Sequence, residues 1–171
     1  MRKAFVILAA ALALAACQPK AGKDAAGPPG AAQPQSEQSK AYMAKVAKEP
    51  GVKVLASGLA YKIVRSGPAT GLKPQLNDEV KVNYEGKLLN GQVFDSSYAR
   101  GTPAAMPLDR LIPGWIEALQ LMRPGDEWIL YVPPELGYGP EGQGEIPPDS
   151  ALIFRIELID LLPAPGRVQQ G

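Results

Sequence analysis

From Leu59 onward the apolar residues of this chain fall at every second position, and one segment breaks the pattern. In VKVNYEGKL, Val80, Val82, Tyr84 and Leu88 share one face; in LIFRIELIDL, Phe154, Ile156 and Leu158 alternate with Arg155 and Glu157. LAYKIV and EWILYVP are of the same kind. Such alternation makes strands with one apolar face. The exception, PGWIEALQLMRPG, carries Trp115, Leu119 and Met122 at helical spacing, with Pro113 suited to a first turn and Pro124-Gly125 to a stop. Four or five amphipathic strands and one short helix predict an α+β fold, an antiparallel sheet whose covered face is supplied by that helix.

The N-terminal third is of another kind. MRK precedes the thirteen apolar residues AFVILAAALALAA. At 1.5 Å per residue this run spans about 20 Å, short of the roughly 30 Å hydrocarbon core of a bilayer, so residues 1–16 are expected to be a signal peptide. The sole cysteine, Cys17, follows in LAAC. That pattern resembles the lipobox of bacterial lipoproteins, whose cysteine is acylated and becomes the mature N-terminus; Ala13-Leu14-Ala15 leaves ordinary cleavage open. Two or more acyl chains would anchor the protein to a membrane stably. Gln18 is not the aspartate that retains enterobacterial lipoproteins in the inner membrane, so the resemblance implies the outer membrane, facing the periplasm.

Residues 17–38 contain no aromatic and no branched aliphatic side chain. Such a tract buries too little apolar surface to offset its ordering entropy and is expected to be a disordered tether reaching roughly 25 Å. In the lead-in at 39–52, Ser39 as cap, Tyr42 and Val46 four apart, and Pro50-Gly51 as stop predict a short helix. Its thin apolar face requires a surface to pack on. The domain is expected over 53–163, with a disordered tail at 164–171.

Charge and residue inventory exclude several chemistries. Residues 53–162 hold ten Lys or Arg against fourteen Asp or Glu, a poor match for nucleic acid. With no histidine and one cysteine, neither the usual zinc sets nor a Ser-His-Asp or Cys-His arrangement can be built. GYGPEG at 137–142 has the spacing of a dinucleotide fingerprint but continues into QGEIPPDS, where no helix can start on a phosphate. Asp95 is the only acid in the wall-like stretch VFDSSYARGTPAAM, whereas sugar hydrolysis needs two facing carboxyls. What remains is chemistry that needs no nucleophile and no base.

Four segments, VNYEGKLLNGQVFDSS, LIPGWIEALQLMRPGDEW, VPPELGYG and IPPDSALIFRIELIDL, resemble FKBP-type peptidyl-prolyl isomerases in order and spacing. The closer resemblance is to exported bacterial members, the macrophage infectivity potentiator group, and GVKVLASGLAYKIV of this chain also resembles their entry segment. The resemblance implies a bent antiparallel sheet of five or six strands around one short helix. It also implies a proline-binding pocket. Tyr84, Phe94, Ile112, Tyr138 and Phe154 match its walls and Trp115 its floor. Asp95 matches its edge carboxylate, with Arg100 as the basic partner behind. Leu111 and Ile146 match rim positions, and Met106 stands where an aromatic is usual. Ala104 replaces another aromatic of eukaryotic members, the loop at 139–146 carries no inserted flap, and the 39–49 helix is shorter than the dimerisation arm of the infectivity group.

In that family the main-chain N–H at the position of Ile112 and the phenol at Tyr138 donate to the peptide, so Asp95, Tyr138 and Ile112 are the expected catalytic set. The implied activity is cis–trans isomerisation of X-Pro bonds in folding exported proteins, without cofactor, with macrolides as plausible competitors. The alternative is a catalytically weak module that binds proline peptides.

Overall fold

The computed structural model describes residues 34–166. The expected signal peptide, Cys17, the tether as far as residue 33, and the tail beyond 166 lie outside the described residues.

Among these residues seven strands form one antiparallel sheet: β1 (Val52–Val54), β2 (Ala60–Arg65), β3 (Glu79–Leu88), β4 (Val93–Ser96), β5 (Ala104–Pro107), β6 (Glu127–Val132) and β7 (Leu152–Leu162). Their order is β1-β2-β6-β7-β3-β4, with β5 also on β3. The count exceeds five or six because two short strands share one edge. β5 pairs with Glu79–Val82 and β4 with Glu85–Lys87, while β7 pairs along the other edge of β3. Register shifts between Ile63 and Arg65 and between Lys81 and Val82 mark the irregularities that let the sheet bend.

The helical exception of the sequence becomes α3 after two others, α1 (Gln35–Val46) and α2 (Ser97–Arg100). α3 spans Pro113–Leu119, with Pro113 in its first turn. It ends ahead of Pro124 because the chain tightens: the Leu121 N–H bonds the Ala118 carbonyl and the Met122 N–H the Leu119 carbonyl, i→i+3 bonds that close the last turn. Met122 stays fully buried. Trp115, Ala118 and Leu119 of α3 join Val80, Val82, Leu130, Ile156 and Leu158 in the main core.

The opposite face of the sheet is covered as well. Trp128, Leu130 and Val132 of β6 belong to the main core, whereas Tyr131 belongs to a second cluster with Val46 and Ala60. Since successive strand residues point to opposite faces, α1 lies on the far side of the sheet from α3. Tyr42 of α1 meets Tyr131 with ring centroids 6.3 Å apart. Further along the same face, Glu127 pairs with Arg155 at 2.6 Å and Glu157 with Arg65 at 2.5 Å.

α1 begins at Gln35, inside the expected tether, with Pro34 at its N-cap. Ser39 is therefore interior to the helix rather than its cap. Its side chain is fully buried and bonds across to residues 149 and 151. α1 and the sheet fall in one compact unit from residue 33 onward.

Candidate active site

One cavity of about 540 Å³ opens where β3, β4, β5, β7, the N-terminal end of α3 and the segment after β6 converge. That volume suits a peptide side chain with its flanking backbone. Its floor is the Trp115 indole, 4% exposed. Tyr84 stands edge-on to Trp115 at 5.0 Å and 83°, and Phe154 does so from β7 at 5.2 Å and 85°. Phe94 closes the box against Phe154 at 5.6 Å and 87°. Edge-to-face geometry is the favoured arrangement of aromatic rings, so the box is held by its own contacts.

Gly86 makes this box possible. It pairs with Asp95 across β3–β4 and with Phe154 across β3–β7. A Cβ there would lie 2.6 Å from Phe94 Cζ and 2.7 Å from Phe154 Cε1. Only a residue without a side chain lets both rings pack over the strand.

The polar groups cluster at one edge. The short α2 turn is capped by Ser96, whose Oγ accepts from the Ala99 N–H at 3.2 Å, and stopped by Gly101 in the left-handed region. Asp95 is thereby spared the capping role usual for an aspartate in such a turn. The Tyr84 hydroxyl and the Arg100 guanidinium each donate to one of its carboxylate oxygens. Arg100 also donates to the Tyr84 hydroxyl oxygen at 2.9 Å and lies 5.4 Å from that ring's centroid. Burial tends to raise the Asp95 carboxyl, but the Tyr84 and Arg100 donors outweigh it and hold the group below the usual carboxylate range. Burial, then the Asp95 hydrogen bond, raise the Tyr84 phenol; burial, then the Asp95 charge, raise that of Tyr138.

Donors on the cavity wall are left over, the buried indole N–H of Trp115 among them. The main-chain N–H of Ile112 and the hydroxyl of Tyr138 likewise have no partner among the described residues. Both belong to residues singled out in the sequence.

Nine of the eleven expected site residues line the cavity: Tyr84, Phe94, Asp95, Met106, Leu111, Ile112, Trp115, Tyr138 and Phe154. Arg100 sits behind Asp95 rather than on the wall. Ile146 does not stand at the rim. It is 7% exposed and packs into the main core, and it forms an antiparallel bridge with Gln143. Gln143 lines the cavity in its stead, along with Arg110 and Pro113. The last two flank Leu111-Ile112 in DRLIPGW, so proximity to the wall motif was the available signal. Gln143, in a Gly-rich loop, carried none. Ala104 pairs with Val82 and packs on the core beside the cavity.

Comparison with known proteins agrees with this architecture. Residues 71–159 match the family described as FKBP-type peptidyl-prolyl cis-trans isomerase, and residues 9–63 the domain amino terminal to it. The peptidyl-prolyl cis-trans isomerase Mip of Coxiella burnetii is 54% identical over 127 residues, 74% of this chain and 54% of that protein. The outer membrane protein MIP of Legionella longbeachae is 47% identical over 122 residues, 71% of this chain and 52% of that one. This chain thus spans about half the length of these curated relatives. A crystal structure of a peptidyl-prolyl cis-trans isomerase from Pseudomonas syringae pv. tomato superposes with a TM-score of 0.70 at 38% identity, covering 75% of this chain and 94% of that one. With more than half its length inside the family's boundaries and the same fold around the aromatic cavity, the chain belongs to the FKBP-type peptidyl-prolyl cis-trans isomerase family.

Proposed function

We propose that this protein catalyses cis–trans isomerisation of X-Pro peptide bonds in exported proteins as they fold. The observation that carries the reading is the pairing of an aromatic box with two unengaged donors, the Ile112 N–H and the Tyr138 hydroxyl, on one cavity wall. Aromatic faces and edges select the proline ring, and the donors engage peptide carbonyls.

Rotation about an X-Pro bond is slow because resonance gives the C–N bond double-bond character, with a barrier of about 18–20 kcal/mol. Resonance also places negative charge on the carbonyl oxygen, which water stabilises. A cavity walled by Tyr84, Phe94, Trp115 and Phe154 removes that water and so disfavours the planar amide relative to the twisted one. Donors placed for the twisted geometry then lower the barrier by binding it better than either planar isomer. Asp95 needs no proton transfer in this scheme. Its charge, fixed by Tyr84 and Arg100, orients one wall and polarises the site. Macrolides that mimic a twisted prolyl amide are expected to compete for the same walls.

The proposed place of action is the bacterial envelope, with Cys17 carrying the lipid and the outer membrane as its destination. LAAC in the sequence supports the lipid, and the Legionella relative, called an outer membrane protein, supports the destination.

The deciding experiment follows exchange of X-Pro bonds in short peptides by NMR, with and without purified protein, in the presence of a chelator. Catalysis indifferent to the chelator is expected, and Tyr138→Phe is expected to lower it. An exchange rate equal to buffer, from protein that binds the peptides, would make this a proline-binding module.

A further inference from the structure

We infer that Ser39 is a positioning residue for the isomerase site: through it, α1 fixes the loop that bears Tyr138. This rests on the isomerase reading above. A serine inside a helix is usually neutral or unfavourable, since its hydroxyl competes with the helix's own hydrogen bonds. Here the hydroxyl is directed outward, to residues more than a hundred positions away. It donates to the Asp149 carbonyl at 2.7 Å and accepts from the Ala151 N–H at 2.8 Å, with the side chain fully buried.

These two bonds reach the C-terminal end of the loop that leaves β6 and returns as β7. Asp149 is the one non-glycine among the described residues with positive φ, at 55°. Residues other than glycine enter that region at a cost, so the conformation depends on bonds that hold it. Beyond the pair with Ser39, the Asp149 N–H donates to the Gly139 carbonyl at 2.9 Å. Gly139 directly follows Tyr138, and its own N–H is held by the Pro134 carbonyl at 2.9 Å. The path from α1 to the catalytic phenol is thus Ser39, Asp149, Gly139, Tyr138, with no break in hydrogen bonding or chain.

α1 is attached at two separable places. Val46, at its C-terminal end, is buried against Ala60 and Tyr131 of the sheet. Near Ser39 a cleft of about 220 Å³, lined in part by Lys40, Met43, Pro133 and Pro134, runs between helix and loop. Apolar packing there is incomplete, so hydrogen bonds make the join. Weakening one attachment need not weaken the other in the same way.

The test compares full-length wild type with Ser39→Ala and Val46→Ala. Alanine is the better helix former, so Ser39→Ala leaves α1 itself intact. Losing two buried bonds to the loop is expected to lower kcat/KM for X-Pro peptides about three- to ten-fold, mainly through kcat. The amide resonances of Gly139 and Gly142 are expected to shift with it. Val46→Ala is expected to lower the melting temperature yet keep kcat/KM within about two-fold, because it deletes packing and not the link to the loop. Ser39→Cys, near in shape but a weak hydrogen bonder, is expected to fall between, and serves if the alanine variant does not fold. Wild-type kcat/KM and unmoved loop resonances in the Ser39 variants would overturn the inference. So would a loss in Val46→Ala matching that of Ser39→Ala. Should wild type itself not catalyse, the isomerase reading fails separately, while the loop resonances still decide whether Ser39 sets the position of Tyr138.

Discussion

The Tyr84 hydroxyl donates to a carboxylate oxygen of Asp95, a residue eleven positions on and across a hairpin. Arg100 completes the triangle by donating to both. The carboxylate and the guanidinium are each nearly half exposed, so their attraction is screened by water and adds little to stability. The triangle's value lies in orientation, since it fixes a phenol ring that walls the cavity. Asp95→Asn is expected to lower kcat/KM about ten-fold while moving the melting temperature by only a few degrees, and Arg100→Ala to lower it about two- to five-fold. Peptide isomerisation and calorimetry on the same samples check both. Full activity in Asp95→Asn would remove the carboxylate from the mechanism.

The same groups set the pH profile. The folded-state value of Asp95 is lowered, so its stabilising contribution is present above the unfolded value near 4 and is lost as pH falls through the folded one. Tyr84 and Tyr138 are raised, so the contribution of their neutral form is complete below about 10 and is lost as pH rises through their folded values. The chain has no histidine to titrate in between. Turnover is expected to be flat from about pH 5 to 9, falling only outside that window. An inflection near neutrality, measured with a substrate that does not ionise there, would point to a group outside this site.

Gly86→Ala tests the aromatic box without touching a polar atom. The added Cβ would meet two rings at well under contact distance, so a ring must move. A destabilisation of about 1–3 kcal/mol is expected, together with weaker binding of proline peptides, because Phe94 must be displaced into the cavity. Urea denaturation and peptide titration measure the two effects. Unchanged binding would mean that Phe94 does not shape the site.

Much of this was legible beforehand, and for a definite reason. Tyr84, Phe154 and Trp115 fall on regular strands and a helix, where periodicity alone states which side chains share a face. Phe94, Asp95 and Ile112 followed from motif position. Ser39 was misjudged because the composition of residues 17–38 says only that little apolar surface is available, and a helix held by a buried hydroxyl and by Tyr42, Met43 and Val46 needs little before residue 39. Its partners lie 110 and 112 residues away, where no local pattern can show them. Ile146 and Gln143 were exchanged for a related cause. In a loop of glycines and prolines no period exists to tell which side chain lines the cavity and which joins the core.

Cys17→Ser addresses the proposed anchor. With the thiol gone, no acyl chain can be attached, and the variant is expected either to remain an uncleaved precursor or to appear as a soluble periplasmic form. Fractionation of cells labelled with palmitate checks this. Label in the variant equal to wild type would remove Cys17 as the lipid-bearing residue.

The domain boundary offers a final test, because sequence periodicity and packing place it differently. Alternation begins at the strands, which suggests that a chain starting at Lys53 would suffice. Such a chain lacks α1. It would expose Ala60 and Tyr131 on the sheet and leave the Asp149 carbonyl and Ala151 N–H without the Ser39 hydroxyl. Burial of one valine contributes about 1.5–3 kcal/mol and an unsatisfied buried backbone group costs about 1–3 kcal/mol. Residues 53–166 are therefore expected to be less stable than residues 34–166 by at least about 2 kcal/mol, read as a lower urea midpoint. The m-value is expected to fall as well, since less surface is exposed on unfolding. Equal midpoints for the two fragments would mean that α1 rests on the sheet without holding it, and that the domain begins at its first strand.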